Sequence, residues 1–220
     1  KKGQSKLCRY GQHKALRLQF MGVAAPSYGA KLFMKKKIEE LLKESIDVKN
    51  KLLETQVGEI EKLASAMLKT IKSGHKILLF GNGGSATDSL HIATELVGRF
   101  RKERKALPAI ALTANISTLT ALGNDYGFEY IFERQVEAFG NKGDMAIGIS
   151  TSGSSKNVAA GILKASKMGL KTAALTGNKF SKLFKISDIC IRVPSDNTPR
   201  IQEAHIAIGH IVCELIEDAF

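Results

Sequence analysis

From residue 76 onward, short apolar runs alternate with longer segments in which apolar residues recur every three or four positions. The short runs predict buried strands, and the longer segments predict helices. The strands are expected near residues 76–80, 108–112, 144–149, 171–175 and 188–193. The helices are expected near residues 86–98, 116–123, 128–138, 155–168 and 199–217. This alternation predicts an α/β fold in which helices cover both faces of a parallel sheet.

Residues 35–72 precede this region and show helical spacing of apolar residues throughout. We expect one long helix or a helical hairpin here. Gly58 is a candidate break. Gly74 follows two lysines and is a candidate stop, because glycine readily adopts the left-handed conformation that ends helices. The pattern therefore predicts a helical arm in front of the sheet.

Composition and charge exclude several classes of protein. Of the 220 residues, 44% are hydrophobic and 25% are charged, which is ordinary for a globular protein and predicts no membrane span. The net charge of +12 invites nucleic-acid binding, but ten of the 33 basic residues precede the first acidic residue, Glu39. The other 23 basic residues nearly balance the 21 acidic ones. We therefore expect the body of the protein to bind neither nucleic acid nor a membrane.

The N-terminal part of the chain differs from the rest in its basic charge. Met21 and Met34 are both internal candidate starts. We expect residues 1–33 to be an extension outside the fold and residues 34–220 to form the folded domain.

Cysteine usage indicates a reducing compartment. The three cysteines are Cys8, Cys190 and Cys213. An odd number without CxxC spacing predicts neither a disulfide framework nor a thiolate zinc cluster. A cytoplasmic location fits this pattern best.

Two loops rich in glycine and hydroxyl groups follow the first and third predicted strands. They read Gly81-Asn82-Gly83-Gly84-Ser85 and Ser150-Thr151-Ser152-Gly153-Ser154-Ser155. Each loop precedes a predicted helix, so backbone N–H groups and a helix N-terminus converge at a strand's carboxyl end, where α/β sheets bind ligands. The alternatives are a plain tight turn for the first loop and an exposed linker for the second. Neither a dinucleotide fingerprint nor a triphosphate loop is present, so the pair predicts a site for a small anion.

Candidate acid–base residues lie on two predicted helices. His91 and Glu95 are four positions apart and share one helix face. On the final helix, Gln202 and His210 are about 80° apart, whereas His205 and His210 differ by about 140°. One of these two histidines is therefore expected to be structural. Core histidines and surface His/Glu pairs are both ordinary, so spacing alone leaves the function open.

From about Met34 to Phe220 the chain resembles the phosphoheptose isomerases, a family of sugar-isomerase (SIS) domain proteins. The resemblance rests on motifs that occur in order: GNGGS at 81–85, HxxxELxGRF at 91–100, LPAIAL at 107–112, GNDYGFE at 123–129, FERQV at 132–136, STSGSSKN at 150–157, and RIQEAH at 200–205 followed by His210. It implies a three-layer, flavodoxin-like fold with a five-stranded parallel sheet and a long N-terminal helical arm. The extension at residues 1–33 is not part of the family pattern.

The resemblance also implies a reaction. It is the aldose–ketose isomerisation of sedoheptulose 7-phosphate to D-glycero-D-manno-heptose 7-phosphate through an enediol, the first step toward ADP-heptose or GDP-heptose for lipopolysaccharide or other surface glycans. Glu95 would be the base and His210 its acid partner. One zinc ion per subunit would be bound by His91, Glu95, Gln202 and His210.

The family's substrate contacts match two loops and several isolated positions. They carry over to Asn82, Gly83, Gly84, Ser85, Glu95, Asn124, Asp125, Ser150, Thr151, Ser152, Ser155 and Gln202. For Asn124 and Asp125, a turn or helix cap is the alternative. We also expect Ser85 to cap its helix beside the phosphate.

Three further implications concern partners and alternatives. The family is typically a homotetramer with active sites between subunits. One relative is a non-enzymatic regulator of the bacterial replication initiator, in which the positions matching Glu95 and His210 carry residues unable to do acid–base chemistry. An SIS isomerase that acts on another phosphosugar, such as a pentose phosphate, is the remaining alternative.

Overall fold

The structure is a computed structural model that describes residues 28–220. Residues 1–27, most of the predicted extension, lie outside the described residues, so the boundary at residue 33 stays a prediction. The chain divides into one unit that ends at Glu44 and a second unit, Ser45–Phe220.

The first helix, α1, begins at Tyr28 and ends at Thr55. Within the second unit, its residues Val48 and Leu52 are buried in the core. Other apolar side chains along the helix are exposed: Leu32, Phe33, Ile38, Leu42, Ile46 and Leu53. The predicted helical arm is therefore present and carries uncovered apolar side chains.

A second helix, α2, spans Val57–Lys72, and the break before it lies at Gln56. The prediction of a break at Gly58 is wrong. Gln56 has a ψ of 0°, and its Oε1 accepts the backbone N–H of Arg192 at 3.1 Å. Its backbone still bonds to Leu52 at 2.9 Å and to Ile60 at 3.0 Å, so the break is a bend of one residue between the two helices. Gly74, with a φ of 82°, follows α2 as predicted.

The five strands found in residues 28–220 form one parallel sheet. They are β1 (Ile77–Gly81), β2 (Ala109–Ala111), β3 (Met145–Ser150), β4 (Lys171–Thr176) and β5 (Ile189–Arg192). The order is β2-β1-β3-β4-β5, and every neighbouring pair is parallel. This is the flavodoxin-like order, and its direction reverses between β1 and β3, where such sheets bind ligands. The predicted sheet is confirmed.

Helices cover both faces of this sheet. After α2 they are α3 (Gly84–Val97), α4 (Ile116–Asp125), α5 (Ile131–Phe139), α6 (Lys156–Lys167), α7 (Lys182–Ile186) and α8 (Thr198–Glu217). Side chains of α2, α3 and α8 share one apolar cluster with the sheet, and those of α5, α6 and α7 share another. Strands β1 and β3 are buried along their whole length, as expected for a sheet covered on both faces. The three-layer prediction is confirmed. None of the helices described is both long and apolar enough to cross a membrane.

Candidate active site

The first glycine loop is a very tight turn between β1 and α3. Gly83 has a φ of 54° and a ψ of −123°, a conformation that side chains rarely allow. A Cβ on Gly81 would lie 2.8 Å from the carbonyl oxygen of Ile149 in β3. Glycine at these positions therefore lets the loop approach the end of β3, where the second loop starts.

Ser85 does not cap α3, so that prediction is wrong. The N-cap is Gly83, and Ser85 is the second residue of the helix. Its backbone N–H donates to the carbonyl of Asn82 at 3.0 Å, and its side chain is buried. The turn at Gly83 starts the helix earlier than the serine suggested. The predicted contact between Ser85 and the substrate stays a prediction.

The second loop gathers hydroxyl groups at the end of β3. Ser150 Oγ lies 2.9 Å from Ser155 Oγ and 3.4 Å from Ser152 Oγ. The backbone N–H of Gly153 donates to the carbonyl of Ser150 at 2.9 Å, and the carbonyl of Thr151 accepts the N–H that follows β4. The loop is thus a hydrogen-bonded turn with neutral donors suited to phosphate oxygens.

A reciprocal pair of amide hydrogen bonds joins the two loops. Asn82 Nδ2 donates to Asn157 Oδ1 at 2.8 Å, and Asn157 Nδ2 donates to Asn82 Oδ1 at 2.9 Å. Asn157, in the first turn of α6, is 3% exposed. The pair fixes the loops against each other at the point where the strand order reverses.

A cavity of about 510 Å³ lies beside this pair. It is lined by Asn82, Gly127, Phe128, Glu129, Ser155, Lys156 and Asn157. Its volume is within the range of small-molecule sites. The sequence analysis did not identify Glu129 or Lys156 as candidate site residues. Glu129 lies in the GNDYGFE motif and Lys156 in the STSGSSKN motif, and their charges were the signal that could have identified them.

Asn124 and Asp125 lie elsewhere, in the last turn of α4. Neither lines this cavity. Asn124 Nδ2 donates to Asp125 Oδ1 at 2.8 Å, and both residues are exposed. Their role as substrate contacts stays a prediction.

The predicted acid–base residues meet between α3 and α8. His91 Nε2 lies 3.1 Å from Glu95 Oε1 and 3.0 Å from His210 Nε2. The ring of Phe100 packs against His210 with centroids 5.5 Å apart. The structure therefore brings one carboxylate and two imidazoles into one cluster, which can exchange protons with a substrate.

The cluster of His91, Glu95 and His210 also fits a divalent metal ion. One ligand atom from each residue lies within 4.8 Å of the other two. Ligand atoms in a tetrahedral zinc site with bonds of 2.0 to 2.1 Å are about 3.3 Å apart, close to the two distances measured here. Gln202, the predicted fourth ligand, packs against the first loop, since a Cβ on Gly84 would lie 2.8 Å from its Cδ.

His205 faces the core instead. It is fully buried, and its Nε2 lies 3.2 Å from the carbonyl oxygen of Thr176. Because a carbonyl only accepts, Nε2 carries the proton and donates it. Burial lowers the pKa of His205 to about 4, so the ring is neutral near pH 7. These contacts agree with a structural role for one of the two histidines.

Asp88 is a residue of this region that sequence reasoning missed. It precedes His91 by three positions and Glu95 by seven, which places it on the same face of α3. Its Oδ2 is buried without a hydrogen-bond partner among the described residues. Burial raises the pKa of Asp88 to about 6, against the opposing influence of His91. The helical spacing was the signal that could have found it.

Glu217 of α8 holds the segment that follows α3. Its carboxylate accepts the backbone N–H groups of residues 100–102 at 2.7 to 2.9 Å and lies 3.2 Å from Arg104 Nε. Arg104 Nη2 in turn donates to the backbone carbonyl of Glu95 at 2.7 Å. This clamp connects α8 to the backbone of Glu95 and to Phe100.

Glu217→Gln is expected to lower the melting temperature by roughly 5 to 10 °C, because Arg104 would remain buried without its counter-charge.

Although burial opposes it, the three backbone hydrogen bonds lower the pKa of Glu217 to about 2. The stabilisation is therefore present above about pH 4.5 and is lost as the pH falls toward about 2. Thermal unfolding at several pH values measures both effects. Glu214→Gln, on the exposed side of the same helix, is the matched control; equal melting temperatures for the two variants would contradict the clamp.

The fold and the site define a class of protein: an α/β domain with two glycine- and hydroxyl-rich loops at one edge of a parallel sheet and a cluster of one carboxylate and two imidazoles. The family model of the SIS domain matches residues 40–177. A phosphoheptose isomerase of Aquifex aeolicus is 54% identical over 185 residues, covering 84% of this chain and 97% of its own. One from Thermodesulfovibrio yellowstonii is 51% identical over 182 residues, covering 83% of this chain and 90% of its own.

Solved structures agree with the sequence relatives. The structure of a phosphoheptose isomerase from Francisella tularensis matches with a TM-score of 0.81 at 39% identity, covering 84% of this chain and 98% of that one. The chain therefore belongs to the phosphoheptose isomerase family of SIS-domain proteins. The prediction of an isomerase enzyme is confirmed.

Proposed function

We propose that the protein converts sedoheptulose 7-phosphate to D-glycero-D-manno-heptose 7-phosphate, the first step toward ADP-heptose or GDP-heptose. The observation that carries the proposal is the cluster of His91 and Glu95 on α3 with His210 on α8, because α3 starts at the first glycine loop. An aldose–ketose isomerisation needs both parts: an anchor for the phosphate, and groups that move protons at C1 and C2. The names of the relatives point to the seven-carbon substrate.

Glu95 is the base of this mechanism and His210 its acid partner. Glu95 removes a proton from C1 of the ketose while His210 gives a proton to the carbonyl oxygen at C2, which forms the enediol. Glu95 then returns a proton to C2 as the O1 hydroxyl gives its proton to His210 and the aldehyde forms at C1. Oε1 of Glu95 faces His91, which leaves the second oxygen to carry the proton.

We also propose that His91, Glu95, Gln202 and His210 hold one zinc ion per subunit. The three converging ligand atoms support this, since nitrogen and oxygen donors suit zinc. When bound, the ion supplies a Lewis acid that polarises the substrate carbonyl.

Removal of zinc is expected to lower both turnover and stability. At a free zinc concentration 100-fold above Kd, binding should add about 2.7 kcal/mol to the free energy of unfolding. Urea unfolding with chelator and with added zinc measures this, and metal analysis gives the stoichiometry. His91→Ala should unfold at the same urea concentration in both conditions; a zinc effect that persists in this variant would place the ion elsewhere.

We further propose a cytoplasmic homotetramer with active sites between subunits. Exposed apolar side chains support an assembly: Ile46, Leu53, Val57, Ile211 and Leu215. We propose that Asn124 and Asp125 contact the substrate in this assembly. Sedimentation analysis tests the oligomer, and a monomer at the concentrations used for activity would contradict it.

A panel of ketose phosphates tests the proposed substrate. With seven-, six- and five-carbon compounds at equal concentration, we expect the seven-carbon sugar to have the highest kcat/KM, by at least about tenfold, or 1.4 kcal/mol. A preference for a five-carbon phosphate would move the function to another phosphosugar isomerase.

A further inference from the structure

The cavity beside the serine loop contains two charged residues that the mechanism above does not use. Among the described residues that line it, Lys156 is the one cation and Glu129 the one anion. The serine hydroxyls and the amides of Asn82 and Asn157 are neutral. A phosphate monoester carries about −1.5 to −2 charges near pH 7, so the two charged side chains act on it with opposite signs.

Lys156 lies at the positive end of a helix. It is the first residue of α6, directly after Ser155, whose side chain makes no capping hydrogen bond. The first backbone N–H groups of a helix have no partner within the helix and carry partial positive charge. The ammonium adds a full charge at the same end, beside the hydroxyl cluster.

The charge of Lys156 is not neutralised by the protein. In the part of the chain that the structure describes, Lys156 forms no ion pair, and its side chain is exposed. Lys164, two turns later on the same helix, pairs instead with Glu137 at 2.9 Å and with Glu133 at 3.9 Å. The contrast leaves Lys156 as the cation of α6 that faces the cavity and is free to meet an anion.

Glu129 carries the opposite charge to Lys156 and lines the same cavity. It belongs to the short 3₁₀ helix Phe128–Tyr130. Both Glu129 and Lys156 also line a neighbouring cavity of about 400 Å³, so both stand where the two cavities adjoin. Any anion held by the serine loop experiences attraction from one and repulsion from the other.

We propose that Lys156 binds the phosphate of the substrate and that Glu129 limits its affinity, so that the balance of these two charges sets KM. This inference rests on the proposed function, because it takes the substrate to be a sugar phosphate. The hydroxyls and amides orient the phosphate oxygens through directional hydrogen bonds, and Lys156 supplies the net positive charge that they lack.

Kinetics of charge variants test the proposal. Lys156→Ala should raise KM about tenfold, equivalent to 1.4 kcal/mol, and leave kcat within about twofold, because the phosphate charge is the same in substrate and transition state. Lys156→Arg should restore most of the affinity. Glu129→Gln should shift KM in the opposite direction, lowering it by about two- to threefold.

Lys167→Ala is the matched control. Lys167 lies on the same helix, three turns beyond Lys156; it lines the neighbouring cavity of about 400 Å³ but not the one beside the serine loop. Its removal changes the net charge of the protein equally, so a general electrostatic effect would appear in both variants. We expect KM of the control to stay within about 1.5-fold of the wild type.

Calorimetric titration with inorganic phosphate gives a readout that does not need turnover. The Kd for inorganic phosphate should be higher in Lys156→Ala than in the wild type and lower in Glu129→Gln. Equal effects of Lys156→Ala and Lys167→Ala would overturn the proposal while the isomerase function stands. Absence of phosphate binding by the wild type would overturn it as well. If phosphate binding depends on Lys156 but the protein turns over no sugar phosphate, the phosphate site is supported and the proposed isomerase function is contradicted.

Discussion

Glu95→Gln is expected to abolish isomerisation while leaving the fold and phosphate binding intact. The substitution keeps the size and shape of the side chain but removes the carboxylate that we propose as the base for the C1 proton. General-base catalysis contributes typically 10²- to 10⁴-fold, so we expect kcat to fall by about a thousandfold. Initial rates with sedoheptulose 7-phosphate measure this effect, and inorganic phosphate titration checks that the loop site survives.

Two comparisons make the Glu95 experiment specific. Glu103→Gln removes a carboxylate from an exposed position, where the side chain is 91% exposed, and should leave kcat unchanged. Zinc content of the Glu95 variant separates loss of the base from loss of the metal. Full turnover by zinc-containing Glu95→Gln would remove Glu95 as the base.

His210→Asn is expected to have the second largest effect on turnover, a loss of about a hundredfold or more in kcat. The variant loses the imidazole that lies 3.0 Å from His91 and that we propose as the acid for the carbonyl oxygen. His205→Asn, five positions away on the same helix, should instead act on stability. The shorter side chain removes one of the two donors to the Thr176 carbonyl, which still accepts the Val193 N–H at 2.9 Å, and buries an amide without that partner, at a cost of about 1 to 3 kcal/mol.

The two histidine variants therefore differ in which measurement they change. Rates at saturating substrate should separate His210→Asn from the wild type, and urea unfolding should separate His205→Asn. If His205→Asn loses turnover at unchanged stability while His210→Asn keeps it, the assignment of the two histidines is reversed.

Much of the fold follows from the sequence because its signals are local. Strands β1 and β3 are buried on both faces, so Ile77–Gly81 and Met145–Ser150 read as continuous apolar runs. The five-residue helix α7 is too short for a 3.6-residue period to appear. The break between α1 and α2 falls at Gln56, where neither a glycine nor a proline marks it in the sequence.

Some features of the candidate site also follow from local sequence signals, whereas others need the three-dimensional structure. His91 and Glu95 are found by their spacing within one helix, and the two loops by composition. The Asn82–Asn157 pair needs the adjacency of β1 and β3, which only the strand order supplies. Angular spacing alone does not place Gln202 beside His210, because eight residues of helix separate them by about 12 Å along the axis; its role as the fourth zinc ligand stays a prediction.

The most direct measurement is NMR observation of sedoheptulose 7-phosphate incubated in D₂O with the purified, zinc-loaded protein. We expect D-glycero-D-manno-heptose 7-phosphate to accumulate with solvent deuterium at C2 in part of the product, because the proton that Glu95 takes from C1 exchanges with D₂O before a proton returns to C2. A folded protein that binds phosphate but leaves the sugar unchanged would contradict the proposed function. Conversion that continues at an unchanged rate in Glu95→Gln would contradict the proton-transfer role of Glu95.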